Sequence, residues 1–357
     1  MLSQIRAMLG GIAYIYFRKW VIYVTYSAQR KQRRSIDLES VVEKGDGYIK
    51  AVPWPIRLLL FKFDIPQDID CHVFELKFPS PLIAAAFKDD LEILSFWRNF
   101  GLGGVTLKTL MPMARTGNPR PRLQSVSIGF GGGLLNALGL PGKGAKHTVG
   151  ELQKSHFLST TRPTGISLGG NSVQDYFHTF LTFHQYLKNT RFAYFYEINI
   201  SCPNTPEGQD MVKNPDLLSS LLQQIRQETN AVVSVKLSPA QSNDELLKFG
   251  RLVASFPRTM LNLGNTQYKT CKEVGLWQSA ISVGGGGHSG PKLFLRTLEM
   301  VRLMAPLGLP IIATGGISTP QQAQQILESG ATLIGVATAL VENPFCVPQI
   351  NHHLAST

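Results

Sequence analysis

Cysteine is scarce in this sequence, and its cysteines are not spaced to bind metal or to form a disulfide framework. Cys71, Cys202, Cys271 and Cys346 are the only four in 357 residues, and no Cys-x-x-Cys pair occurs. Zinc sites and cysteine-ligated iron–sulfur clusters use closely spaced pairs, whereas small secreted domains carry a denser set. The pattern excludes both classes within this chain and favours a reducing compartment.

Acidic residues are missing from the start of the chain. Before Ser35 the sequence has seven basic residues and no Asp or Glu. A clean apolar run is missing too, because Arg18 and Lys19 divide the stretch 8–27. A spanning helix needs roughly 20 consecutive apolar residues. No small-residue cleavage site follows, so the stretch is not typical of a removed signal peptide.

Aromatic residues are what this segment does contain. Trp20 and four nearby tyrosines lie among the basic residues, and a second apolar patch follows at 54–63. This mixture is typical of helices at a membrane interface. We therefore expect residues 1–65 to form a basic, aromatic extension of membrane-associated helices. A helical cap packed on the next domain and a true membrane span are the alternatives.

The rest of the chain alternates short β-prone runs with stretches of helix length. The apolar content of 43% and the 33 glycines suit a soluble α/β enzyme. The candidate strands are 82–86, 104–108, 164–168, 194–200, 232–237, 259–263, 310–314 and 332–336. The candidate helices are 173–189, 215–228, 242–254, 293–304 and 319–328. About eight strands separated by helices predict a (β/α)8 TIM barrel over residues 66–357.

A doubly wound sheet is the alternative fold. It would be supported by a Gly-x-Gly-x-x-Gly turn after the first strand, and none occurs there. The glycine runs at 130–133 and 284–287 come later and lack the acidic residue expected about 20 positions further on. The barrel is therefore the favoured architecture.

The decapeptide Glu-Ile-Asn-Ile-Ser-Cys-Pro-Asn-Thr-Pro at 197–206 is the most informative motif. It follows an aromatic run, so it lies where a strand gives way to a loop. Asn199, Cys202 and Asn204 are then close together at one strand end. Two carboxamides can hold a flat polar ring, and a thiol can act as a base, nucleophile or proton donor. A capped turn with a structural cysteine is the alternative.

Other polar residues follow other candidate strands. Lys108 ends one strand, Lys236 lies within an apolar strand, and Asn136 precedes a Gly-Leu-Pro segment. Asn262 and Asn265 follow a further strand, and Asn265 is the preferred ligand of the two. Solvated or salt-bridged lysines and turn-capping asparagines are the alternative interpretations. Two glycine-rich segments, 286–291 and 314–317, allow backbone amides to approach a phosphate closely.

These motifs resemble the dihydroorotate dehydrogenases, over about residues 74–350. The resemblance implies an FMN enzyme of pyrimidine biosynthesis that oxidises dihydroorotate to orotate, with Cys202 as a class 1-like base and Lys108 as a second catalytic residue, between flavin and substrate. It further implies that dihydroorotate binds to Asn136, Asn199, Asn204, Asn265 and Lys108. It assigns FMN to Ala85, Ala86, Lys108, Ser167, Asn199, Lys236, Gly287, Ser289, Gly290, Gly315, Gly316, Ala337 and Thr338. No metal is expected.

The N-terminal extension is similar to that of class 2 members, which dock on a membrane and admit quinone. The resemblance therefore predicts membrane quinone as the electron acceptor, ahead of fumarate or a partner flavoprotein. It also predicts a peripheral membrane location, at a cytoplasmic face or an inner membrane, and leaves a homodimer open. The chain departs from the family pattern at Gly142, Ser167 and His288.

Two other functions share parts of the pattern. The tRNA-dihydrouridine synthases are also FMN barrels with Asn-x-x-Cys-Pro, and the basic charge of +11 would suit tRNA. Here, however, the basic residues cluster before the barrel and Asn-Thr-Pro follows the cysteine, so no nucleic-acid partner is expected. A non-catalytic, membrane-tethered flavoprotein is the third interpretation.

Overall fold

Eight parallel strands close into a barrel in the computed structural model, which describes residues 2–200, 211 and 214–356. Elements are numbered in chain order. Around the barrel the strands are β3 (Leu82–Ala84), β4 (Gly104–Leu110), β7 (Thr164–Leu168), β8 (Tyr194–Asn199), β9 (Val233–Leu237), β10 (Thr259–Leu263), β13 (Ile311–Thr314) and β14 (Leu333–Val336). The predicted (β/α)8 fold is confirmed, and each of the eight candidate strands is a barrel strand.

Helices cover the outside of the barrel. They are α4 (Leu91–Arg98), α5 (Ala145–Lys154), α6 (Val173–Leu187), α7 (Pro215–Glu228), α8 (Asn243–Ala254), α9 (Phe294–Met304), α10 (Pro320–Glu328), α11 (Thr338–Glu342) and α12 (Cys346–Leu354). The five predicted helices are confirmed to within two residues at each end. Capping boxes start two of them, at Ser242 with Glu245 and at Thr319 with Gln322. These reciprocal bonds satisfy backbone N–H groups that the first helical turn cannot pair.

The barrel interior changes from apolar to polar along the strands. At the amino-terminal end, Phe195, Met260 and Ile312 pack together with Phe78. Phe78 belongs to an antiparallel hairpin of β1 (Cys71–Val73) and β2 (Leu76–Phe78). Because alternate residues of a strand share a face, the inward position of Phe195 also turns Glu197 and Asn199 inward. The polar end of the interior is therefore the carboxyl end of the strands.

A second, antiparallel sheet was not predicted from the sequence. Its strands are β5 (Leu123–Ser125), β6 (Leu134–Asn136), β11 (Gln267–Thr270) and β12 (Gly285–Ser289), in the spatial order β11, β12, β6, β5. In register, Asn136 stands opposite Gly287. All four strands are only three to five residues long, which is too short for the period-two pattern to be recognised.

Three helices precede the barrel: α1 (Leu2–Lys31), α2 (Leu38–Ala51) and α3 (Trp54–Phe61). One stripe of α1 is buried and includes Ala7, Gly11, Val21 and Thr25, which recur at helical spacing. A Cβ atom on Gly10 would lie 2.3 Å from the ring of Phe345, beside α12. Small residues on α1 thus let its backbone approach the end of the barrel closely.

The opposite face of α1 is apolar and exposed. Tyr16 is 68% exposed, Trp20 51% and Tyr23 71%, and on α3 Trp54 and Leu59 are 66% and 72% exposed. No helix in the described ranges combines the length and apolar character needed to cross a membrane. The division of the chain at residue 65 remains a prediction.

An ion-pair cluster joins α2 to the segment that leads into β5 of the antiparallel sheet. Arg122 donates two hydrogen bonds of 2.8 Å to the carboxylate of Glu39. Arg120 reaches Asp37 at 2.5 Å and Glu43 at 2.9 Å. Burial alone would raise the pKa of the Glu39 carboxyl, but the hydrogen bond and charge of Arg122 outweigh it and hold that pKa below its usual value.

Candidate active site at the barrel mouth

A cavity of about 480 Å³ opens between the carboxyl ends of the barrel strands and the N-terminal helices. This volume is in the range of small-molecule sites. Its position is the one at which (β/α)8 enzymes carry their active sites. The predicted site residues that line it are Ala85, Ala86, Lys108, Asn136, Asn199, Lys236, Asn265, Ser289, Gly290, Gly315, Gly316, Ala337 and Thr338.

Lys236 is a buried cation that faces this cavity. It lies on β9 and is 5% exposed, and the register places it beside Asn199 on β8 and Asn262 on β10. Within the described ranges, its ammonium has no hydrogen-bond or ion-pair partner. A buried charge without a partner is costly in a folded protein. Lys236 is therefore suited to an electron-rich or anionic ligand.

Lys108 lies near the end of β4 and also lines the cavity. Its ammonium donates to the carbonyl of Pro141 at 2.7 Å, which links it to the segment after Asn136. Burial lowers the pKa of the Lys108 ammonium, while the nearby carboxylate of Asp89 opposes that shift. A second positive group is thus held at the mouth of the barrel.

Carboxamides reach the cavity from three separate elements. Asn136 donates to the carbonyl of Gly287 at 3.1 Å, and Asn199 donates to the Thr109 hydroxyl at 2.8 Å. Asn265 lines the cavity too, whereas Asn262 points into the barrel and donates to Glu197 at 2.6 Å. Of these two asparagines, Asn262 on β10 and Asn265 in the loop after it, the structure thus brings Asn265 to the cavity, in keeping with the preference from the sequence.

Two glycine-containing loops form a backbone cradle at the last strands. Gly290 and Gly316 have φ angles of +124° and +74°, which side chains rarely adopt. A Cβ atom on Gly316 would lie 2.5 Å from the backbone nitrogen of Phe294. Thr338, at the start of α11, donates to the Ser289 hydroxyl at 2.8 Å and so links the turn after β14 to the first of these loops. Backbone amides and hydroxyls at this end of a barrel are suited to a phosphate.

Two described site residues, Ser167 and Gly287, do not line the cavity, and two other predicted site residues lie outside the described part of the chain. Cys202 and Asn204 lie outside the described residues, so their roles as base and substrate ligand stay predictions. Ser167 is fully buried inside the barrel, where it contacts Thr109 and Glu197. Gly287 lies on β12, where a Cβ atom would be 2.0 Å from the Thr266 hydroxyl. The flavin roles predicted for these two residues also stay predictions.

The N-terminal helices contribute residues to the cavity that were not predicted. Tyr14, Phe17 and Val21 of α1 line it together with Val42 and Ile49 of α2. The sequence did contain a signal for this: Tyr14, Phe17 and Val21 are three and four residues apart, so these large apolar side chains share one face of α1. The cavity therefore continues from the polar barrel mouth to an apolar branch formed by these five residues, beside charged residues of the same two helices such as Arg18 and Asp46.

Comparison with known proteins identifies the family. A model of dihydroorotate dehydrogenase matches residues 69–357. The chain belongs to the dihydroorotate dehydrogenase family. This result confirms the resemblance inferred from the motifs. The assignment of Cys202 as a class 1-like base within the dihydroorotate dehydrogenases remains a prediction.

Relatives of this dihydroorotate dehydrogenase family member include two bacterial proteins named dihydroorotate dehydrogenase (quinone). One, from Thermus thermophilus, is 30% identical over 297 residues, 80% of this chain and 81% of its own. The other, from Nostoc punctiforme, is 31% identical over 312 residues, 81% of this chain and 80% of its own. A crystal structure of DHODH from Eimeria tenella with ferulenol shares the fold. Its TM-score is 0.68 and its identity 20%, over 81% of this chain and 84% of that chain.

Proposed function

We propose that this protein is an FMN-dependent dihydroorotate dehydrogenase that oxidises dihydroorotate to orotate in pyrimidine biosynthesis and passes the electrons to a membrane quinone. The observation that carries the proposal is Lys236, a buried ammonium facing a cavity that carboxamides and a glycine cradle also line. The family match and the quinone-type names of the relatives support the same activity.

The described residues fit FMN. The cradle of Gly290, Gly315 and Gly316 would hold the phosphate, because glycine at these positive φ angles lets backbone amides approach it closely. Lys236 would stabilise negative charge on the edge of the isoalloxazine ring. When bound, FMN supplies the acceptor for a hydride from the substrate.

The substrate is a flat, amide-bearing ring with a carboxylate, and the cavity offers matching groups. The carboxamides of Asn136, Asn199 and Asn265 can donate to and accept from such a ring. The ammonium of Lys108 supplies a cation for the carboxylate. In this proposal Cys202 takes the proton from substrate C5, and Asn204 completes the set of carboxamides.

The apolar branch of the cavity supports quinone as the acceptor. Phe17, Val21 and Ile49 offer an apolar path from the outer helices towards the barrel mouth. The exposed apolar face formed by α1 and α3 supports peripheral attachment to a membrane, where quinone is dissolved. Basic residues in the last turn of α1, Arg30 and Lys31, would favour an anionic lipid surface.

An anaerobic titration of the purified flavoprotein tests the proposal. Dihydroorotate should bleach the flavin absorbance, and a short-chain ubiquinone should restore it faster than fumarate or NAD. Protein that binds no FMN, or flavin that dihydroorotate leaves oxidised, would contradict the activity. Faster reoxidation by fumarate or NAD would contradict the acceptor alone.

A further inference from the structure

A continuous row of hydrogen bonds runs beneath the cavity, inside the barrel. Asn199 Nδ2 donates to Thr109 Oγ1 at 2.8 Å, and Thr109 Oγ1 lies 3.0 Å from Ser167 Oγ. Ser167 Oγ donates to Glu197 Oε1 at 2.9 Å. The row therefore joins a cavity-lining carboxamide on β8 to a carboxyl group two residues earlier on the same strand, through β4 and β7.

Glu197 is the least expected member of this row. It is 0% exposed, and no lysine, arginine or histidine pairs with it in the part of the chain that the structure describes. Both of its carboxyl oxygens accept hydrogen bonds, one from Ser167 and the other from Asn262 Nδ2 at 2.6 Å. Burying a carboxylate among neutral donors costs free energy, which its hydrogen bonds offset only in part.

A carboxylate only accepts hydrogen bonds, so it fixes which group donates and which accepts along the row. Ser167 must then donate to Glu197, so its oxygen is free to accept the Thr109 hydroxyl hydrogen. Thr109 has then used its only hydrogen, so its oxygen accepts from the Asn199 amide nitrogen. Fixing the donor at one end of the row fixes which side of the Asn199 carboxamide faces Thr109.

We infer that Glu197 is a positioning residue, which acts through Ser167 and Thr109 to hold the Asn199 carboxamide in a single flip state towards the ligand. The inference rests on the proposed function, because orotate and dihydroorotate are the ligands that would sense the flip. A ring that presents both amide donors and acceptors is sensitive to an exchange of oxygen and nitrogen at Asn199.

Substitution of Glu197 by glutamine tests the inference in the FMN-loaded enzyme. The glutamine keeps the shape but offers an N–H group, so it can reverse every donor in the row. Orotate binding is measured from the change that it causes in the absorbance of the bound flavin. We expect Glu197→Gln to raise the Kd for orotate about tenfold, equivalent to about 1.4 kcal/mol, with FMN content unchanged.

The double-mutant cycle with Thr109→Val separates positioning from a general loss of packing. Thr109→Val interrupts the row between Ser167 and Asn199, so we expect a similar rise in Kd of about tenfold. The double variant should bind orotate about tenfold more weakly than wild type, rather than about a hundredfold, because both changes break the same row of hydrogen bonds. Additive losses would overturn the inference, as would an unchanged Kd in folded Glu197→Gln enzyme.

Two further variants keep the test decisive. Ser234 stands opposite Glu197 in register, and its buried hydroxyl has no partner among the described residues, so Ser234→Ala should leave the Kd for orotate unchanged. If Glu197→Gln does not fold, the two Thr109 variants provide the test. Thr109→Ser keeps the hydroxyl, so it should recover most of the orotate affinity that Thr109→Val loses. Equal affinity in those two variants would overturn the inference. Wild-type enzyme that is not bleached by dihydroorotate would instead refute the proposed function.

Discussion

The barrel and the N-terminal helices bury their large apolar side chains to different extents. On β8 of the barrel, Phe195, Tyr196 and Ile198 are all 0% exposed. On α1, Tyr16 and Tyr23 are 68% and 71% exposed. The barrel thus buries its own apolar surface, because its sheet closes on itself and helices cover the strands. The extension leaves such rings exposed, in keeping with the proposed attachment to a membrane.

The difference arises because α1 is apolar on two faces. One face packs on the end of the barrel, where the Tyr14 hydroxyl donates to the carbonyl of Val341 at 3.2 Å. The other face carries Trp20, which clusters with Phe17 and Tyr48. A helix that is apolar all round is normally covered on all sides. We therefore expect catalysis and the proposed membrane attachment to be separable, so that substitutions in one region leave the other property unchanged.

The largest expected effect comes from a substitution that lowers the catalytic rate and leaves membrane binding unchanged. Cys202→Ala should lower kcat by about 100-fold or more, because general base catalysis contributes about 10²–10⁴. FMN content and vesicle binding should stay at wild-type levels, since the extension is untouched. The measurement is turnover with a soluble quinone, beside a flotation assay. Wild-type kcat in this variant would remove Cys202 from the mechanism.

Replacing the buried cation of the barrel mouth should have the next largest effect. Lys236→Met should weaken FMN binding about tenfold or more, because a hydrogen bond to a charged group contributes about 1.5–3 kcal/mol. The FMN-free protein should be no less stable than wild type, since an unpaired buried charge is removed. Isothermal titration and thermal unfolding measure the two changes. Lys248→Met, at an exposed position of α8, is the matched control.

A change confined to the extension should weaken membrane binding without altering the barrel. Trp20→Ser combined with Tyr23→Ser should lower the vesicle partition coefficient about tenfold or more, because each ring transfers apolar surface into the bilayer. kcat with a soluble quinone should not change. Leu295→Ser, at a 76% exposed position on α9 of the barrel, is the matched control. Equal losses in both variants would show that the extension has no special part in binding.

The contact between the two regions should give the smallest effect, and it depends on pH. Because Arg122 holds the pKa of Glu39 below its usual value, this carboxylate stabilises the contact above the ordinary glutamate pKa of about 4.3. That contribution is lost as the pH falls through the lowered pKa. Glu39→Gln should cost about 1 kcal/mol at pH 7 and less at pH 3. Unfolding in urea at the two pH values measures the difference, and an equal cost at both would contradict it.

The barrel strands could be predicted because they are buried on both faces. Stretches such as Ile-Ile-Ala-Thr on β13 are nearly continuous apolar runs, separated by helices of the right length. Asn199 and Lys236 could be predicted as site residues because they lie at or near the ends of such strands. The short strands β5 and β6 could not, since three residues carry too little periodicity.

Glu197 was missed for a different reason. Its burial results from pairing across strands that are far apart in sequence, and local patterns do not report such contacts. One signal was present: a charged residue two positions before Asn199 shares its inward face. The packing of α1 against α12 was equally hidden, because the two helices lie at opposite ends of the chain.

The meeting of α1 with α12 has a consequence for biosynthesis. The Ser3 hydroxyl lies 3.0 Å from His352 Nε2, and Gly10 packs against the ring of Phe345. The surface on which α1 packs is therefore formed by residues that follow the whole barrel in chain order. During translation α1 therefore emerges long before the residues that it packs against. Its apolar faces must be covered during that interval, by lipid or by a chaperone, if the nascent chain is to escape aggregation.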